Sequence, residues 1–79
     1  MKRAVISIPS NIAEGARRST NKDFSRFISI SLGSSFELET QLIIANELGF
    51  MENENYEGLI LKLGLIQKMI VNFQKHLNK

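Results

Sequence analysis

Three glutamates, two adjacent serines and one histidine are the side chains with the most chemistry to offer. Glu14, Glu37 and Glu39 are candidate inward carboxylates, and di-metal helical bundles are built from such glutamates together with Glu-x-x-His pairs. The sequence contains no Glu-x-x-His, and its single histidine, His76, lies among the last few residues. Glu14 is expected to pair with Arg17 or Arg18, and Glu37 and Gln41 to be polar positions on a helix. Ser34 and Ser35 have no neighbouring His or Asp to activate a hydroxyl. Gly33-Ser34-Ser35 falls within a helical pattern and lacks the Gly and Lys spacing of a phosphate loop. Cysteine is absent, which excludes disulfides and thiolate metal sites. The expectation is a protein that is not an enzyme, with no cofactor, no metal and no small-molecule substrate.

Charge placement says more. Residues 1–30 carry six basic and two acidic residues, residues 31–58 six acidic and no basic, and residues 59–79 four basic and no acidic, giving the net +2 of the whole. Arg17, Arg18, Lys22 and Arg26 cluster early, Lys75, His76 and Lys79 late, and Glu47, Glu52, Glu54 and Glu57 between them. The way the helices pair decides which of these groups meet.

The main element is the stretch from Thr20 to Phe50. Thr20-Asn21-Lys22-Asp23 has the capping-box pattern, a hydroxyl followed three residues later by an acidic group. Leu48-Gly49-Phe50 is a stop signal: Gly49 can take the left-handed conformation and Phe50 can fold back on the last turn. Between them Phe24, Phe27, Ser31, Leu38, Leu42, Ala45 and Leu48 mark one helical face, with Ile28, Ile30, Leu32, Phe36, Ile43 and Ile44 outside it. A helix apolar on more than one side needs cover on more than one side. Gly33-Ser34-Ser35 at its middle is expected to be a close crossing with another backbone.

Before it, residues 2–17 show Val5, Ile8, Ile12 and Ala16 at helical spacing. Pro9 predicts a kink or a fresh start, with Ser7 capping the restarted helix, and the segment should end by about Arg18. After it, Asn53 is the expected cap of a last helix reaching Asn78. There Tyr56, Leu59, Leu63, Ile66, Ile70, Phe73 and Leu77 form a heptad seam, with a second stripe at Leu61, Leu65 and Met69. The connection at residues 49–52 is short, so the two long helices should lie antiparallel. The fold class expected is all-α: one domain over residues 1–79, an antiparallel up-and-down helical bundle of three helices. Antiparallel pairing would place the early and late basic groups at one pole and the glutamates at the other.

A chain of 79 residues buries only about 60% of its unfolded surface. With no disulfide available, oligomerisation is the expected supplement, and Leu61, Leu65, Met69, Ile30 and Ile44 are the candidate interface. No apolar run approaches the roughly 20 residues that span a bilayer, and the polar faces of the amphipathic helices are not consistently basic, so no membrane partner is expected. Pro9, Asn11 and Glu14 interrupt the apolar segment that follows Lys2-Arg3, so no signal peptide is expected and the expected location is cytoplasmic.

Ser7-Ile8-Pro9-Ser10-Asn11-Ile12-Ala13-Glu14-Gly15, Phe24-Ser25-Arg26-Phe27, Leu32-Gly33-Ser34, Glu37-Leu38-Glu39-Thr40-Gln41-Leu42 and Leu48-Gly49-Phe50, in this order and spacing, resemble the small bacterial proteins encoded in intervening sequences of 23S ribosomal RNA genes. The resemblance implies an up-and-down four-helix bundle without catalytic residues, relatives that assemble as pentameric rings, and related retroelement accessory proteins that bind nucleic acid. Members of that family begin with a helix ahead of the Ser-Ile-Pro block, whereas here Met1 stands a few residues before it. The expectation is a four-helix-bundle type whose first helix is absent, which would account for the surplus apolar stripes.

Two functions follow. In one, Arg17, Arg18, Lys22, Arg26, Lys75 and Lys79 bind RNA or DNA phosphates with little sequence preference, without base contacts. In the other, the stripes make the chain a self-assembly or protein-interaction module with no nucleic-acid role, and the cations are ordinary solvated helix ends.

Overall fold

The computed structural model describes residues 2–78, which form three helices and no strand. α1 is Lys2–Ala16, α2 is Asn21–Glu47 and α3 is Asn53–Leu77. α2 starts as its cap predicts. Thr20 has extended backbone and its Oγ1 accepts from the Asp23 N–H at 3.2 Å. It stops at Gly49, whose φ of 79° is left-handed. The Phe50 N–H then bonds the Ala45 carbonyl at 2.9 Å and the Gly49 N–H that of Asn46 at 3.1 Å, the two bonds of a Schellman closure. The Phe50 ring does not fold back as expected but stays 77% exposed, so the backbone alone ends this helix.

α1 makes no fresh start at Pro9. The helix runs unbroken through it, and Ser7 caps nothing. Proline removes the donor for the Val5 carbonyl, but Val5 is itself half exposed, so solvent can satisfy that group. Ser7 instead bonds across to α2: its Oγ lies 2.8 Å from Ser34 Oγ, and Asn11 Nδ2 donates to both its carbonyl and its hydroxyl. Ser31 Oγ donates to the Ile8 carbonyl at 2.8 Å. The close crossing expected at Gly33-Ser34-Ser35 therefore exists, but it is made by Ser31, Ser34 and the fully buried Ser35. Gly33 faces open space. The glycine that permits close approach is Gly15, where a Cβ would stand 2.8 Å from both Phe24 Cδ1 and Phe27 Cβ.

α3 begins at Asn53 with Glu52, not Asn53, in the cap position and no side-chain cap bond. α3 packs on α2 less extensively than α1 does. Gln67 donates to Glu39, Gln74 to the Ser25 carbonyl and to Ser29, and Phe73 meets Phe24 edge-on at 5.3 Å between ring centres.

The two outer helices both lie on α2 and share no close backbone contact with each other. That arrangement explains a correction to the core. Ile28, expected off the main face of α2, is 1% exposed because it sits between the two flanking helices; Leu48, expected on that face, is 62% exposed. The heptad seam of α3 divides likewise: Leu63 and Ile70 are buried, whereas Leu59, Ile66 and Phe73 stay open on one flank. An open groove of about 510 Å³ separates the outer helices, lined by Ile12, Ile28, Ile66, Met69, Ile70 and Phe73.

Candidate functional site

The hydroxyl and carboxylate groups that could do chemistry are largely engaged in hydrogen bonds within and between helices. Ser34 is paired with Ser7, Ser35 Oγ donates to the Leu32 carbonyl at 2.6 Å, and Glu39 accepts from Gln67. Glu14 Oε1 takes Arg18 at 2.8 Å, one of the two pairings expected for it. Among the described residues no three His, Asp or Glu side chains gather to hold a metal ion. No described helix is long and apolar enough to cross a membrane.

Arg17 and Arg18 lie in the turn after α1, and Lys22 and Arg26 on the first turns of α2. All four are exposed. The bonds from Gln74 to Ser25 and Ser29, with the Phe24–Phe73 contact, bring the last turns of α3 beside the first turns of α2. Exposed Lys75 and His76 are thereby carried to the same end of the molecule. Lys79 lies outside the described residues. The α1–α2 crossing sets Ser7 against Ser34 and Gly15 against Phe24 and Phe27, which places Lys2 and Arg3 past the middle of α2 and away from this cluster. Glu47, Glu52, Glu54 and Glu57 are exposed around the α2–α3 connection at the opposite end.

The four early cations are not equivalent. Arg18 is held between Glu14 and the Phe27 ring, its guanidinium carbon 4.6 Å from the ring centre. Arg17, Lys22 and Arg26 have no carboxylate within ion-pair distance among the described residues. Three unneutralised cations beside one anchored guanidinium form a patch of positive charge. The start of α2 adds its positive dipole end at the same place.

The candidate interface residues fall in two places. Leu61, Leu65 and Met69 are 71%, 64% and 69% exposed on α3, while Ile30 and Ile44 are about half exposed on α2. What sequence reasoning missed is the serine–asparagine clamp between α1 and α2. Its signal was present, since Ser7 and Asn11 on one helix and Ser31 and Ser34 on the other each share a helical face.

A family model for 23S rRNA-intervening sequence proteins matches residues 1–72. No curated protein matches the chain.

Proposed function

The chain belongs to the 23S rRNA-intervening sequence protein family, and from that premise we propose that it is a non-enzymatic helical-bundle protein that binds nucleic-acid backbones through its basic end. The observation that carries this reading is the meeting of the α1–α2 turn with the end of α3. Arg17, Lys22 and Arg26 lie unpaired there, beside Lys75. Such a cluster binds phosphates by charge and counterion release, so RNA and DNA are both ligands and sequence preference is slight. Few aromatic rings are exposed at this end, which argues against base stacking as the main source of affinity.

The contacts between the helices support an antiparallel up-and-down arrangement, and the groove between α1 and α3 is the place a fourth helix of that bundle type would occupy. The exposed Leu61, Leu65 and Met69 favour self-association as a second property of the same protein. The two properties separate by mutation. Reversing Arg17, Lys22 and Arg26 to Glu is expected to abolish mobility shifts of a structured RNA and a DNA duplex while leaving the sedimentation coefficient of the free protein unchanged. Retained shifts in that variant would rule out the basic end as the binding surface.

A further inference from the structure

Resting on the reading of the basic end as a binder of phosphate backbones, we infer that Arg18 is a stacking platform for a nucleobase. The ligand class this selects is nucleic acid with unpaired nucleotides, such as a bulge, a loop or a single strand. The guanidinium carbon of Arg18 lies 4.6 Å from the centre of the Phe27 ring, and its Nη2 donates to Glu14 Oε1 at 2.8 Å. The ring meets the group from one side. The carboxylate holds it at an edge, since guanidinium N–H groups point within their own plane. The side chain nevertheless stays 43% exposed. Both anchors belong to the α1–α2 contact. Gly15 lets Phe27 come close against α1, and the Arg18 N–H bonds the Gly15 carbonyl at 3.0 Å. Ring, carboxylate and guanidinium are therefore tied to the last turn of α1.

This geometry divides the work of the four early cations. Arg17, Lys22 and Arg26 have no carboxylate within ion-pair distance among the described residues, so their charge is free for phosphates. Glu14 offsets the charge of Arg18, which makes it the poorest phosphate contact of the four. Its plane, however, is fixed before any ligand arrives, so little side-chain freedom is lost when a flat group covers it. Bases drawn out of a helix stack on guanidinium planes as they do on aromatic rings. Within a duplex the bases cover one another and present only their edges, and the platform stays empty. Stacking of this kind tolerates any base, so it adds a preference for unpaired nucleotides without a preference for sequence.

The test compares two ligands of nearly equal charge: a blunt RNA duplex, and the same duplex with a bulge of a few unpaired adenines at its middle. In anisotropy titrations at one salt concentration, the parent protein should bind the bulged duplex about tenfold more tightly. The ratio should hold when salt is raised, because stacking releases no counterions. Arg18→Lys keeps the charge but removes the plane, and should bring the ratio to about one. A loss of folding would lower both affinities together and leave the ratio alone. A ratio near one in the parent protein, or a preference for the bulge that survives Arg18→Lys, overturns the platform and leaves the phosphate-binding reading standing. Binding to neither duplex at low salt overturns that reading, and the platform with it.

Discussion

Glycine has opposite meanings at two positions of this chain, and the difference is one of space. Gly15 is where α1 presses on α2: an added methyl would meet Phe27 at its Cβ, an atom held to the backbone and unable to swing aside. Gly15→Ala is expected to cost about 1–3 kcal/mol by overpacking, which lowers the melting temperature by several degrees or more. Gly33 touches nothing beyond its own helix, so Gly33→Ala should raise stability by about 0.5–1 kcal/mol through helix propensity. Thermal melts of both variants check the pair, and equal signs would contradict the assignment of the contact to Gly15. The sequence marked Gly33-Ser34-Ser35 as a crossing because small residues interrupt a helix that otherwise buries large ones, and the serines, not Gly33, make it. Which face of a helix meets a neighbour depends on where that neighbour lies, and residue spacing alone does not supply that. The Glu14–Arg18 pair was legible, because i,i+4 spacing fixes it locally.

At the scale of elements, the starts and stops that rest on short-range chemistry could be read from the sequence. Thr20 caps α2 and Gly49 closes it, both by contacts within four or five residues. Thr20→Ala should cost about 1 kcal/mol. Pro9 was harder to read, since the penalty of an interior proline is real but the rest of the helix outweighs it. Four side-chain hydrogen bonds engage α1 over residues 7–11: Asn11 to the carbonyl and hydroxyl of Ser7, Ser7 to Ser34, and Ser31 to Ile8. With the helix held in place, Pro9→Ala returns a donor to the Val5 carbonyl and should stabilise by about 1–3 kcal/mol. Urea denaturation of the two variants, shifted in opposite directions, checks both statements. The heptad seam of α3 was visible as a pattern, yet only Leu63 and Ile70 are buried along it. A seam predicts a core on the assumption that both of its flanks have partners, and within this chain one flank of α3 faces the open groove.

The whole molecule is a thin slab, 45 × 21 × 13 Å in backbone extent, with α2 as its spine. Its radius of gyration is 13.9 Å, where a compact chain of this length would have about 11.6 Å. A shape so open leaves apolar faces uncovered and holds its two charge groups at opposite ends. The basic end was legible because segment charge and a short connection need only counting. That Arg18 is tied to Glu14 and Phe27, and is less free than its three neighbours, required coordinates. The central claim is that this end binds phosphate backbones, and its most direct test is fluorescence anisotropy of a labelled RNA hairpin titrated with the protein at two salt concentrations. With three or four phosphates neutralised, affinity should fall about a hundredfold between roughly 50 and 200 mM salt. Absence of binding at the lower salt, or an affinity indifferent to salt, would contradict it.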